Sequence, residues 1–346
     1  MGEIPRYEVP EYEQKEVITP ERETQLAPID EAQVLDTGGA ILGRYQEFQR
    51  ETVGNEALSW DERFKKMKAI ANEQLRAGGE KLSEQEEEMI MAFWGMGEIL
   101  AQVRHRNQLD IELEDIDLQE EPDYARRDEI TKEMDYLNID SAEWQASVMK
   151  ILLSFRETPA GRDFIGKFWQ SFEELSDQYY LEGKTDARKL RNGILGAVTA
   201  IDILESLGVQ TYFAHPDQDA VQKIDLWGQM NGQILAFQIK SHHAKGDLRV
   251  YGEEVTGTES TRELKGIDRR DARARKKLFT SAQKYANLWQ VPFIGTVWVD
   301  LDHYGGTKIR QDESTGTPQL PPDLPGSVLA QVLAKVVAKG GENVRH

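Results

Sequence analysis

The stretch that most constrains this chain is a pair of strand-like runs, residues 222–229 (QKIDLWGQ) and 233–240 (QILAFQIK), separated by Met230-Asn231-Gly232. Asn-Gly between two such runs predicts a hairpin, because both residues accept the positive φ that a tight two-residue turn requires. Pairing across that turn sets residue i opposite roughly residue 463 minus i, which brings Asp225 beside Gln238. Gln238 and Lys240 are two apart, so their side chains leave the same face of the strand. A carboxylate, an amide and an ammonium then meet on adjacent strands. A sheet face gains nothing from three such groups unless they bind something, and a plain Asp225–Lys240 ion pair would add little over apolar residues.

The flanking elements extend the pattern. Residues 187–207 place Leu190, Ile194, Ala197, Ile201 and Leu204 on one helical face, with Gly208 as a stop. A short β-rich run, 209–213, and a polar turn, 215–219, lead into the hairpin. After it come a helix over about 269–289 and a buried strand over 292–299. The order is helix, strand, strand, strand, helix, strand.

Asp225 followed by Gln238-Ile239-Lys240, in that order of elements, resembles the PD-(D/E)XK nuclease superfamily, the restriction-endonuclease-like fold, over about 115 of the 346 residues. The resemblance implies an α+β/α/β chain with an αβββαβ core over about 186–300, and a Mg²⁺-dependent (or Mn²⁺-dependent) endonuclease-type phosphodiesterase. Asp225, Gln238 and the main-chain carbonyl of Ile239 would hold the cation, which polarises the phosphate and acidifies a bound water. Lys240 would position that water or steady the developing charge, and Asp219 would serve a second metal or orient a ligand. Gln238 stands where Asp or Glu is more frequent in that family, which removes one negative charge from the ligand set. Asp202 and Glu205 are the candidates for the acidic residue that the family often carries on its first helix.

Residues 262–277 hold eight basic residues against three acidic ones, the densest basic stretch of the chain. Beside a metal-site signature, Arg269, Arg270, Arg273, Lys276 and Lys277 are candidate phosphate contacts. Lys245 and Arg249 join them from the loop 241–268, whose length suits a segment that closes over substrate. The expected partner is nucleic acid, with DNA preferred. His242 and His243 point to opposite faces of an extended segment, so a zinc site shared with His215 is poorly supported, and Ser241-His242 lacks the geometry of a catalytic pair.

Net charge is −19, which taken alone disfavours nucleic acid, but the excess is confined to one half. Residues 1–150 hold 36 acidic and 17 basic residues; residues 151–346 hold 25 of each. Residues 1–58 read as an extended or poorly ordered acidic lead-in, and 59–185 as a helical region. Ser59 with Glu62 forms a capping box, a second helix begins at Ser83, and others follow near 124–136, 141–155 and 162–181. The eight carboxylates between Asp110 and Asp123 read as a solvated linker, or else as a DNA-like acidic surface that shields or regulates a basic groove elsewhere, and the acidic helical region as a whole suits self-association or a protein partner. Gly38-Gly39 through Gly43 lacks the Lys-Ser/Thr of a phosphate loop. The nuclease-like domain spans 186–310, and residues 311–346 form a Pro-rich linker and a short amphipathic helix.

Zero cysteine excludes thiol chemistry and Cys-ligated metals. With no membrane-length apolar run and no secretory pattern at the start, a cytoplasmic chain without a membrane partner is expected. Two other functions suit the residues: a nuclease-fold protein that binds nucleic acid with weak or no cleavage, and an interaction protein working through its acidic helices.

Overall fold

The computed structural model describes residues 31–52, 58–79, 82–119, 123–179, 185–242, 249–251, 267–291, 294–302, 310–312, 314–319 and 328–343. It is mostly helical with one mixed sheet. A helical layer comes first: α1 (Glu31–Thr52), α2 (Trp60–Gly78), α3 (Glu84–Asp117), α4 (Tyr124–Phe155) and α5 (Pro159–Tyr179). Then follow α6 (Thr185–Ser206), β1 (Gln210–Phe213), α7 (Pro216–Ala220), β2 (Leu226–Met230), β3 (Gln233–His242) and β4 (Arg249–Tyr251). The chain continues through α8 (Ile267–Leu288), β5 (Gly295–Asp302), β6 (Arg310–Gln311), β7 (Pro318–Gln319) and α9 (Val328–Asn343). No helix among the described residues is long and apolar enough to cross a membrane.

Three features of the helical layer depart from the sequence reading. Residues 31–52 are helix rather than part of a loose lead-in; Ile41, Tyr45 and Phe48, at helical spacing, sink into the core against Phe93 and Trp94. Gly38, Gly39 and Gly43 lie inside α1, so they form no phosphate loop. At Gly38 a Cβ would stand 2.9 Å from Phe164, so the glycine admits a close ring contact that outweighs its poor helix propensity. The two expected helices 124–136 and 141–155 are one, α4.

The acidic run from Asp110 is not a linker as far as Asp117, because α3 continues through it. Leu109, Leu113 and Ile116 interleave with the carboxylates at helical spacing and close a small core with Ile130, Met134 and Leu137 of α4. Arg126 grips Glu112 through Nε at 2.7 Å and Nη2 at 3.1 Å, and Arg127 meets Asp117 at 3.0 Å. The two helices thus form an antiparallel acidic hairpin.

The sheet order is β1-β2-β3-β5-β4. β1, β2 and β3 form an antiparallel meander; β5 adds parallel to β3 after the α8 crossover, and β4 pairs antiparallel with the far side of β5. The Asn231-Gly232 turn has φ of 52° and 78°, and β2 pairs with β3 in the register Leu226↔Phe237, the pairing that the turn position predicts. Alternation sorts the two faces. Leu235, Phe237 and Ile239 of β3 join Val297 and Val299 of β5 against Ile201 and Leu204 of α6 and Leu329 and Leu333 of α9. Trp227 and Ala236 turn the other way, onto Leu278, Ala282 and Ala286 of α8. By the same alternation Gln238 and Lys240 face the α8 side.

In the Pro-rich stretch after 311, the described residues 312 and 314–319 are folded against the helices. The Asp312 carboxylate accepts hydrogen bonds from the backbone N–H groups of Ser314 (3.0 Å) and Thr315 (2.8 Å), folding a turn between β6 and β7. Trp169 Nε1 donates to Ser314 O at 2.8 Å and Thr199 Oγ1 to Gly316 O at 2.7 Å, which fastens the turn to α5 and α6.

Candidate metal and phosphate site

Asp225 lies one residue ahead of β2, where its N–H still donates to Phe237 O at 2.8 Å. This extra rung holds Asp225 against Gln238. Asp225 Oδ2 accepts from Gln238 Nε2 at 2.5 Å and from Ile239 N at 2.7 Å. In an extended strand a residue's N–H and C=O leave by the same edge, so the Ile239 carbonyl points toward the Asp225 side as well. Gln238 is only 1% exposed, and its Oε1 finds no hydrogen-bond partner among the described residues. A buried acceptor without a donor costs about 1–3 kcal/mol.

Asp219 arrives from α7. That short helix is anchored through Gln218, which is buried: its Oε1 accepts from His215 N (3.0 Å) and Trp227 Nε1 (2.9 Å), while its Nε2 donates to Tyr285 of α8 (3.0 Å). Gln218 therefore ties the Asp219 turn to both β2 and α8. Sequence reasoning passed it over, since a lone glutamine carries no pattern. Burial, the neighbouring Asp225 charge and a hydrogen bond between the two carboxyls push Asp219 well above the usual carboxylate range.

Two lysines flank the pair. Lys240, expected from the strand signature, lies with its ammonium 5.8 Å from the centre of the Trp298 ring. Lys223, which the sequence did not single out, has a left-handed φ of 63° and donates to Ala220 O at the end of α7. Burial and the nearby Lys240 ammonium hold Lys223 below the usual lysine range, and Asp219 and Asp225 oppose them.

The remaining candidates divide. Lys276 and Lys277 are exposed on α8. Arg269, Arg270 and Arg273 lie on the same helix, and Arg249 on β4 pairs in register with Asp300, whose other neighbour is Lys240. Lys245 and His243 lie outside the described residues, as does most of the loop 241–268. His215 is exposed and bonds through Nδ1 to Asp217. Neither acidic candidate on α6 completes the site. Asp202 takes both Arg156 Nη1 and Nη2 at 2.6 Å, and Glu205 Oε1 accepts from Thr211 Oγ1 at 2.7 Å. The α6 helix packs on the opposite face of the sheet.

No group of three or more His, Asp or Glu that could hold a metal occurs among the described residues. What the site offers instead is two carboxylates, an orphaned amide oxygen and a main-chain carbonyl, an all-oxygen donor set that suits a hard cation such as Mg²⁺ or Mn²⁺. Compared with known proteins, the chain matches no family model, no curated protein and no solved structure at a significant level.

Proposed function

We propose that this chain is a metal-dependent nuclease with a restriction-endonuclease-like core made of α6, β1, β2, β3, α8 and β5. The order of these elements, the antiparallel meander and the parallel β3–β5 pair support the fold reading. One observation carries the activity: a buried Gln238 oxygen with no hydrogen-bond partner among the described residues, on a side chain that donates to Asp225 beside the raised Asp219 carboxyl. Buried polar atoms left in this condition mark a place where something else binds.

In this reading Asp225, Gln238 Oε1 and the Ile239 carbonyl would hold Mg²⁺ or Mn²⁺, with Asp219 beside them. The cation's contribution is to polarise a phosphodiester and acidify a bound water. Gln238 Nε2 and Ile239 N fix Asp225 Oδ2 in place beforehand, so that little reorganisation is left for the reaction. Asp219, whose carboxyl is raised by burial and by Asp225, would have to be ionised to serve a cation, so cation affinity would rise with pH. Lys240 faces the developing charge on the phosphate. DNA is the preferred substrate, from the basic run on α8.

The test is cleavage of plasmid DNA and of labelled DNA and RNA oligonucleotides by the purified full chain in Mg²⁺, Mn²⁺ or EDTA. Asp225→Asn and Lys240→Ala are expected to lose on the order of 100-fold or more. Variants that cut as well as the parent overturn the proposal. A second reading, binding without cleavage, is favoured by the absence of a group of three carboxylates or histidines at the site among the described residues. Metal-independent binding with no turnover under any divalent ion selects it.

A further inference from the structure

The outer part of the α3–α4 hairpin has a core of its own. Leu109, Leu113 and Ile116 of α3 meet Ile130, Met134 and Leu137 of α4, apart from the main helical core, which takes Met89 to Leu100 of α3 and Trp144 to Phe155 of α4. These contacts fix which way α3 faces. With about 3.6 residues per turn, the face opposite Leu109, Leu113 and Ile116 belongs to Ile111, Glu114, Asp115 and Leu118, spaced i, i+3, i+4 and i+7. All four are exposed. Ile111 is 61% exposed and Leu118 83%, and Tyr124, which opens α4 at the same end of the hairpin, is 66% exposed.

Scattered apolar residues on a surface need no explanation, but these three are half of the large apolar side chains exposed among the described residues, and they share one arm. The helix does not call for them. Ile111 is β-branched and stands at a solvent position where Gln, Glu or Lys would favour helix more. Such a face is left for something else to cover.

The charge of the arm decides what can cover it. Residues 109–137 hold twelve acidic and three basic residues. Arg126 is engaged with Glu112 and Glu129, and Arg127 with Asp117, whereas no ion pair reaches Glu114 or Asp115 among the described residues. A nucleic acid or an anionic lipid surface is repelled by this face, and a second copy of the same face would set carboxylates against carboxylates. A segment with Lys or Arg between two apolar side chains matches both features. Ile111 and Leu118 stand about 10 Å apart along the axis, the rise of seven helical residues, so a helix with apolar residues seven apart presents its own pair at the same spacing.

We propose that the outward face of the α3–α4 arm, formed by Ile111, Glu114, Asp115 and Leu118 with Tyr124 at its end, docks a basic amphipathic helix of a partner protein. Ile111 and Leu118 take the apolar contacts, and Glu114 and Asp115 pair with the Lys or Arg between them. The inference is independent of the nuclease reading.

The experiment measures fluorescence anisotropy of a labelled helical peptide of Ala and Gln that carries Leu at every seventh residue and Lys at the two positions between that share its face, titrated with the full chain over a salt series. Ile111→Gln and Leu118→Gln are each expected to weaken binding by about tenfold. Glu114→Gln with Asp115→Asn is expected to weaken it and to flatten its dependence on salt. All these positions are exposed, so the variants are expected to melt with the parent, which separates a lost contact from a lost fold. The same peptide with Gln in place of Leu is expected to bind at least about tenfold more weakly. No binding by the parent, or equal binding by the Ile111 and Leu118 variants, overturns the proposal. Equal binding of the Leu-free peptide overturns it as well, because the attraction is then one of net charge alone. Sedimentation equilibrium of the full chain without peptide tests the other occupant: self-association that Leu118→Gln abolishes gives the face to a second copy and overturns the partner helix.

Discussion

Replacing Gln238 by Glu changes the one neutral side chain of the site into a third carboxylate with almost no change in volume. In the resting protein Gln238 Nε2 donates to Asp225 Oδ2 at 2.5 Å, on a side chain 1% exposed. An ionised Glu there forfeits a hydrogen bond to a charged acceptor, about 1.5–3 kcal/mol, and sets two anionic oxygens against each other. Without metal the expected loss is therefore about 2–3 kcal/mol. For a cooperative unit of 150–250 residues, the size of the segment from α6 to α9, this lowers the melting midpoint by roughly 4–12 °C. The loss depends on pH in a definite direction. The new Glu has its folded pKa raised above the unfolded value of about 4.3, so its share of stability is intact below that pH and drains away as pH rises through the folded value. Parent and variant should converge near pH 4 in EDTA. In Mg²⁺ the order changes, because the added carboxylate strengthens the ligand set, and a cation at 100 times its dissociation constant contributes about 2.7 kcal/mol. Scanning calorimetry of both proteins in EDTA and in Mg²⁺, at about pH 4 and about pH 7.5, checks each step. If the Gln238→Glu variant melts with the parent in EDTA at the higher pH, or if Mg²⁺ raises both midpoints equally, the reasoning about this site is refuted.

Two further perturbations probe neighbouring parts of the argument. Asp219 has its carboxyl pushed up by burial and by Asp225, so the folded chain loses stability as pH rises from the unfolded value near 4 through the folded value; Asp219→Asn should remove that slope in EDTA, melt higher than the parent near neutral pH, and lose most of the Mg²⁺-dependent rise, all readable from melting curves across pH. Arg156→Ala should destabilise by about 1–3 kcal/mol, because it strands the part-buried Asp202 carboxylate that Arg156 clasps through Nη1 and Nη2; urea unfolding measures this, and a loss under about 0.5 kcal/mol would mean that Asp202 finds other partners.

How much was legible depended on whether the signal was local. The Asn231-Gly232 turn fixes the β2–β3 register within a few residues of chain, so the approach of Asp225 to Gln238 followed from counting alone. The helices α6 and α8 and the strand β5 were readable from apolar spacing, with bounds shifted by a few residues. The helix α1 was not, because its stripe is three residues wide and its glycines argue against helix; tertiary contacts with Phe93, Trp94 and Phe164 decide it. The acidic stretch misled because carboxylates were counted while Leu109, Leu113 and Ile116, spaced between them, were not. Lys223 and Gln218 were invisible for a different reason. Their positions depend on one left-handed φ and on partners in β2 and α8, from 9 to 67 residues away along the chain, which no local pattern encodes.

The net charge of −19 looks like the strongest objection to a nucleic acid partner, and the site explains why it has little force. Exposed charges separated by more than a Debye length, about 8 Å at physiological ionic strength, are largely screened from each other. Among the described residues, the charged groups acting most on Lys223 are Lys240, Asp219, Asp225 and Lys277, and those acting most on Asp219 are Asp225, Lys240 and Lys223. All come from residues 219–277, in the half of the chain whose acidic and basic residues balance at 25 each. An approaching phosphate therefore meets lysines beside the two carboxylates, while in the α3–α4 hairpin Arg126 grips Glu112 and Arg127 meets Asp117. Total charge governs solubility and the slow, long-range part of encounter; binding at contact answers to the nearest few groups, and here those include Lys223 and Lys240 beside the two carboxylates.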